Sequence, residues 1–152
     1  MLITREMDYC VRIVRALKDG GQLSANEIAA AEHIQTAVTN KLLKKLSKGG
    51  ILESRRGQMG GYRLLRSCGT LTLYDLFSAM ESVPRLTECI AGGYDCPNNA
   101  AGGCGVHGEF CRIQRALDAE LRRYSLAQLF GQPQEPCAAA DADAPAAPPA
   151  PQ

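Results

Sequence analysis

Cys89, Cys96, Cys104 and Cys111 occur in one stretch, ECIAGGYDCPNNAAGGCGVHGEFC, together with His107. Four of the seven cysteines thus fall within 23 of the 152 residues. Soft thiolates gathered in a glycine-rich loop bind a metal centre with little further help from the fold. Two other chemistries suit such a group: a structural zinc site and a thiol–disulfide switch. Zinc sites usually pair ligands two to four residues apart, and within the set Cys89, Cys96, Cys104 and His107 only Cys104 and His107 do so. The gaps of six and seven residues between Cys89, Cys96 and Cys104 suit a loop wrapping a larger cluster. Cys10 lies on the apolar stripe of an expected helix and reads as core. Cys68 and Cys137 show no functional neighbour.

The elements that must position this loop are legible on both sides of it. Before it, residues 4–18 place Met7, Cys10, Val11, Val14 and Leu17 at helical spacing, with Thr4 as N-cap and Glu6 in the first turn. Gly20-Gly21 ends that helix. Ser24-Ala-Asn-Glu27 is a capping-box pattern opening a second helix through Ala31. A third runs from Thr36 to Lys48 on the stripe Val38, Leu42, Leu43 and Leu46, and Gly49-Gly50 stops it. Two short helices across a tight turn outline a helix-turn-helix. ILESRRGQMGGYRLL then reads as a β-hairpin around a glycine-rich turn, a wing. Thr72-Leu-Tyr-Asp75 caps a helix over 73–82. Residues 83–108 have no period and contain six glycines. After them Phe110, Ile113, Leu117, Leu121 and Tyr124 recur at spacings of three and four, close to an a/d seam. Ser125-Leu-Ala-Gln128 caps a short terminal helix. From Gln132 onward the Ala-, Pro- and Asp-rich chain reads as a disordered tail.

The expected architecture is therefore mainly α with a small β wing. A winged helix-turn-helix domain spans 1–82 and a cysteine-rich loop 83–108. The dimerisation and terminal helices occupy 109–131, and the tail 132–152.

Charge follows the same division. Residues 1–66 hold 12 Lys/Arg against 6 Asp/Glu, and residues 67–152 hold 5 against 10. A basic N-terminal half suits a polyanion, although a charge excess of this size is also found on an ordinary solvated surface. On the third helix Thr36, Thr39 and Asn40 occupy the first turns, the end that meets base edges in the major groove. Asn pairs bidentately with adenine and a Thr methyl touches thymine. Lys41, Lys44, Lys45 and Lys48 line a polar face suited to phosphates. Arg55 and Arg56 on the wing, with Gln58 and Tyr62, complete the candidate DNA-binding set.

Several classes are excluded by what is missing. There is no phosphate-cradling loop, no zinc-deaminase signature and no nucleophile–base pair, so the chain does not read as an enzyme. It lacks the closely spaced cysteine run of bacterial ferredoxins. No apolar run approaches the roughly 20 residues that span a bilayer, and the opening MLITREMDYC does not read as a signal peptide. A cytoplasmic protein is the expectation, in which clustered cysteines are metal-binding or redox-active.

Together, LITREMDYCVRIVRAL, VTNKLLKKLSKGGIL, RRGQMGGYRL, LTLYDLFSAM and the cysteine loop resemble the Rrf family of winged-helix regulators, whose cluster-sensing members include IscR and NsrR. The likeness covers about residues 1–130. It implies a homodimer whose long C-terminal helices cross the two-fold axis, each subunit reading half of a palindromic operator on double-stranded DNA. It implies a repressor-type regulator whose DNA affinity depends on an iron–sulfur cluster sensing redox, nitric oxide or iron status. By order and context Cys89, Cys96 and Cys104 match the family's cluster cysteines. His107 has the offset from Cys104 that supplies a fourth ligand in IscR. A 2Fe–2S centre is the first choice and a 4Fe–4S centre the alternative. Cys111 and Asp8 are alternative fourth ligands. Cys111 also reads as a small helix hydrophobe, and Asp8 as a surface carboxylate near Arg12. His33 corresponds to a histidine used in one redox-sensing branch, or is an exposed turn residue. A cluster-free thiol/disulfide or zinc-dependent regulator is the alternative function.

Overall fold

The computed structural model describes residues 3–57, 60–90 and 104–131. The chain order is α1 (Arg5–Ala16), α2 (Ala25–Glu32), α3 (Thr36–Lys48), β1 (Leu52–Arg55), β2 (Gly61–Leu64), α4 (Leu73–Ala79), a single 3-10 turn (Glu88–Ile90), α5 (Gly105–Arg123) and α6 (Leu126–Gly131). A mainly helical protein with one two-stranded antiparallel wing is thus observed.

Local signals in the sequence set most helix starts. Thr4 Oγ1 accepts from the Met7 amide at 3.3 Å. Ser24 and Glu27 close a full capping box, and so do Thr72 and Asp75. Ser125 and Gln128 exchange the same kind of bonds, Ser125 N donating to Gln128 Oε1 at 2.9 Å. Between α2 and α3, His33 takes the left-handed conformation at φ 52°, which turns the chain with a single residue. It is exposed there.

One core joins α1, α2, α3 and α4. Met7, Cys10, Ile13, Val14 and Leu17 contribute from the α1 segment; Leu42, Leu43 and Leu46 from α3; Leu71, Leu76 and Phe77 from around α4; and Leu126 from α6. Burial pushes the Cys10 thiol up to about 12, with the Glu6 charge adding to the effect, so this cysteine is inert packing. Two stripe positions differ from expectation. Ile13 rather than Val11 is fully buried in α1, and Thr39 rather than Val38 is fully buried in α3. The Thr39 hydroxyl donates to the Gln35 carbonyl at 3.2 Å, which lets a polar residue occupy the apolar side of the helix.

The helix expected over 73–82 ends at Ala79, and Glu81 turns the chain at φ 52°. The helix following the cysteine loop begins at Gly105, with Cys104 as N-cap, rather than after residue 108. Gly105 and Gly108 weaken helix propensity by about 1 kcal/mol each, and the long periodic run behind them outweighs that cost. His107 is therefore a helix residue, and the aperiodic stretch also holds the 3-10 turn. Residues 91–103 and the tail from 132 lie outside the described residues.

The wing is fastened to the reading domain by backbone. Leu52 pairs with Leu64 and Arg55 with Gly61. Leu23 and Tyr62 form a third bridge, with N–O distances of 3.1 and 2.8 Å. A Cβ on Gly61 would stand 2.6 Å from the Leu23 carbonyl oxygen, so only glycine permits this approach. Replacing Gly61 with Ala is expected to lower stability by about 1–3 kcal/mol and to speed hydrogen exchange at the Tyr62 amide. Unchanged urea unfolding and unchanged Tyr62 exchange would show that the wing seat tolerates the side chain.

Candidate DNA-reading surface and cysteine site

The α3 helix divides cleanly. Its core side carries Thr39, Leu42, Leu43 and Leu46, and its exposed side carries Thr36, Ala37, Asn40, Lys41, Lys44 and Lys48. Thr39 is a correction to the candidate set: it is buried and bonded to Gln35, so it does not face a base edge. Asn40 is exposed and donates to the Thr36 carbonyl at 3.0 Å. Sequence reasoning passed over Ala37. It is a small residue on the same exposed side as Thr36, Asn40 and Lys44. The 3.6-residue period of α3, counted from Leu42, Leu43 and Leu46, is the signal that places it.

The lysines are not equivalent. Glu6 of α1 binds Lys41 at 2.5 Å through one carboxylate oxygen and Lys45 at 3.1 Å through the other. Lys48 stands 3.6 Å from Glu81. Lys44 has no ion-pair partner among the described residues. On the wing, Glu53 holds Arg63 at 2.8 Å and Arg55 at 3.1 Å. The Arg63 and Arg55 guanidinium groups keep the Glu53 carboxyl below its usual range. Arg56 is exposed at the end of β1. Tyr62 is half-buried and packs against the core, so it shapes the wing seat rather than standing free. Gln58 lies outside the described residues.

The α1–α2 contact orients this surface. Glu32 is buried, and Arg15 reaches its two carboxylate oxygens at 3.2 and 2.5 Å. Arg12 lies 3.6 Å from the same carboxylate and also donates to the Glu32 carbonyl oxygen. Asp8 is exposed and stands 3.7 Å from Arg12. The alternative ligand on α1 is thus already engaged in a surface ion pair.

Of the cysteine-site candidates, the structure brings His107 and Cys111 together. They lie one turn apart on α5, with Nε2 and Sγ 3.4 Å apart and both side chains half-buried. Cys104 is the α5 N-cap residue, at a helix end whose free amides favour negative charge. Cys89 lies in the 3-10 turn, where the Thr87 hydroxyl is 3.7 Å from its sulfur. That turn packs against α5. Cys96 lies outside the described residues. Among the described residues no three His, Cys, Asp or Glu side chains converge closely enough to hold a metal ion. The donor set nonetheless fits an iron–sulfur centre in its chemistry: three thiol side chains and an imidazole on two packed elements flank the segment that carries Cys96.

Gln114 holds those two elements in register. Its Nε2 donates to the Pro84 carbonyl at 2.8 Å and its Oε1 accepts from the Leu86 amide at 3.0 Å. The other end of α5 is anchored too. Arg122 lies 3.3 Å above the Tyr74 ring of α4, and the Leu126 amide donates to the Leu71 carbonyl at 2.7 Å. Along one side α5 exposes Val106 (59%), Phe110 (36%) and Ile113 (37%), with Tyr124 (37%) exposed at its C-cap, and none of the helix's residues is buried. Replacing Gln114 with Ala is expected to abolish hydrogen-exchange protection of the Leu86 amide while leaving Leu42 and Leu43 of the core protected. Protection that survives at Leu86 would show that Gln114 does not hold the segment.

The comparisons with known proteins agree with this architecture. The family model Rrf2, described as iron-dependent transcriptional regulators, matches residues 3–132. The protein aau3 of Rhizobium meliloti (strain 1021) is 30% identical over 85% of this chain and 84% of its own length. The HTH-type transcriptional regulator NsrR of Geobacillus kaustophilus (strain HTA426) is 29% identical over 86% of this chain and 90% of its own. Solved structures share the fold. CymR (YrzC), the global cysteine regulator of B. subtilis, superposes with a TM-score of 0.63 at 22% identity, covering 84% of this chain and 95% of that one. T. potens IscR gives 0.60 at 18% identity, covering 88% and 93%. With a winged helix-turn-helix and a family match over residues 3–132, the chain belongs to the Rrf2 family of DNA-binding transcriptional regulators.

Proposed function

We propose that this regulator binds a palindromic operator as a homodimer, and that an iron–sulfur cluster held by Cys89, Cys96, Cys104 and His107 controls its DNA affinity. Cys111 and Asp8 are the alternative fourth donors, a 2Fe–2S centre is the first choice, and repression is the expected output. The observation that carries this reading is the placement of the donors on and beside α5. Cys104 caps the helix, His107 and Cys111 meet at 3.4 Å one turn on, and the turn bearing Cys89 packs against the same helix. The family's description as iron-dependent supports iron over zinc. The exposed apolar stripe of α5 supports a second copy of the chain as its cover.

The cluster, when bound, would supply a centre that reacts with oxidants or nitric oxide and is lost when iron is scarce. The chain's own residues offer a route by which occupancy would reach DNA. The cysteine segment begins at the Gln114-bound stretch 84–86 and ends at the α5 N-cap, and α5 is tied through Tyr74 and Leu126 to the core behind α3. Loss of the cluster would therefore bear on α5, which packs on α4, and on the 84–86 stretch that Gln114 ties to it. In the dimer that change would alter the spacing of the two α3 helices.

A second reading keeps DNA binding without the cluster. Cys89, Cys104 and Cys111, brought onto neighbouring elements beside His107, would then act as a thiol–disulfide switch or a zinc site.

Anaerobically purified protein is expected to be coloured, with about two iron and two sulfide per chain for the first choice and about four of each for the alternative. Replacing Cys89 or Cys104 with Ala should remove the visible bands, and replacing His107 should shift them more than replacing Cys111 does. Colourless protein that stays colourless on reconstitution would leave the second reading standing. On the DNA side, replacing Lys44 with Ala is expected to weaken binding to all sequences and to lower the salt slope by about one. Unchanged binding would remove α3 from the phosphate contact.

A further inference from the structure

The charge that α3 offers to DNA is set by a residue outside α3. Of the four lysines on this helix, Lys41 and Lys45 share the carboxylate of Glu6, one on each oxygen, at 2.5 and 3.1 Å. The two lysines are one turn apart, and Glu6 lies in the first turn of α1, which packs across α3. All three side chains remain well exposed. An ion pair so exposed adds little to folding stability. Its consequence is for ligands: a fixed negative charge stands within hydrogen-bond distance of two ammonium groups on the polar side of the reading helix.

Any phosphate that approaches Lys41 or Lys45 meets that carboxylate. The backbone anion must displace Glu6 from the ammonium group or accept repulsion from it at close range. Affinity for DNA is dominated by the number of phosphates neutralised and counterions released. Two lysines already neutralised within the protein release fewer counterions than two free ones.

Building on the DNA-binding reading above, we propose that Glu6 is an internal competitor for DNA phosphate, occupying Lys41 and Lys45 and thereby limiting both the affinity and the salt dependence of DNA binding. Lys44, on the same side without a carboxylate partner among the described residues, is then the lysine of α3 that meets phosphate unopposed. Glu6 acts through the two lysines and touches no base itself.

The test is fluorescence anisotropy of full-length protein on a labelled mixed-sequence duplex of about 30 base pairs, titrated at several salt concentrations between roughly 0.05 and 0.25 M. Glu6→Gln is expected to bind about three- to tenfold more tightly, with a salt slope steeper by about one. In a Lys41→Ala/Lys45→Ala background the same substitution should change neither quantity, because the residues it acts through are gone. Far-ultraviolet circular dichroism and a thermal midpoint within a few degrees of wild type would establish that the variants fold. Equal or weaker binding by Glu6→Gln would overturn the inference, as would an effect that persists without the two lysines. If neither wild type nor Glu6→Gln binds the duplex at low salt, the DNA-binding reading itself falls and takes this inference with it. Binding of equal strength and slope overturns the inference alone.

Discussion

The buried carboxylate of Glu32 is the contact on which the reading surface depends. Glu32 is the last residue of α2, and Arg12 and Arg15 of α1 close around it from one side. Arg12 also takes up the Glu32 carbonyl oxygen, an acceptor that the end of a helix leaves without a partner. A carboxylate shielded from water is tolerable only when it is paired and hydrogen-bonded. The two arginines therefore fix α2 against α1 at the point where the chain enters the turn. His33 then turns the chain in a single left-handed residue, and α3 starts at Thr36. The angle between the supporting helix and the reading helix follows from that short turn, with α1 as the brace.

A second constraint governs the cysteine segment. The α5 helix buries none of its own residues, so its position comes from attachments at its ends and middle rather than from a core of its own. Arg122 on Tyr74, Leu126 in the common core and Gln114 on the 84–86 backbone provide those attachments. The result is a helix held firmly to one reading head along one side and apolar along the other. No long chain of contacts separates α5 from α3, because α4 touches both.

Electrostatics adds a layer that a count of basic residues does not capture. On α3 and the wing, much of the positive charge of the N-terminal half is matched by local carboxylates: Glu6 for Lys41 and Lys45, Glu81 for Lys48, Glu53 for Arg55 and Arg63. Lys44 and Arg56 stand out against that background as cations without an ion-pair partner among the described residues. Surface pairs of this kind contribute little to stability and are screened by salt, so their influence is felt mainly by charged partners.

Much of this was legible in the residues. The capping boxes at Ser24 and Thr72, the paired glycines at 49 and 50, and the three- and four-residue spacings within α1, α3 and α5 are short-range signals, and they placed the elements and the wing correctly. Cysteine types and order pointed to a thiolate site, and the exposed side of α3 was read from its period except where the helix phase was misjudged by one position. Val38 and Thr39 differ by about 100° around α3, and only packing against the core decided that the threonine goes inside, its hydroxyl satisfied by its own helix. Likewise glycines near residue 108 obscured the start of α5, because local propensity opposed a helix that the rest of its length carries. Contacts between residues distant in the chain were beyond periodicity altogether: Glu6 on Lys41 and Lys45, Glu32 under two arginines, Gln114 on the 84–86 backbone, and Leu23 beside Tyr62. The sequence by itself determined which segments are helix, turn and wing, since those choices rest on neighbours within a few residues. Tertiary structure alone decided which charges are free and how the cysteine segment is tied to the reading head, because both depend on distances between side chains that only folding brings together.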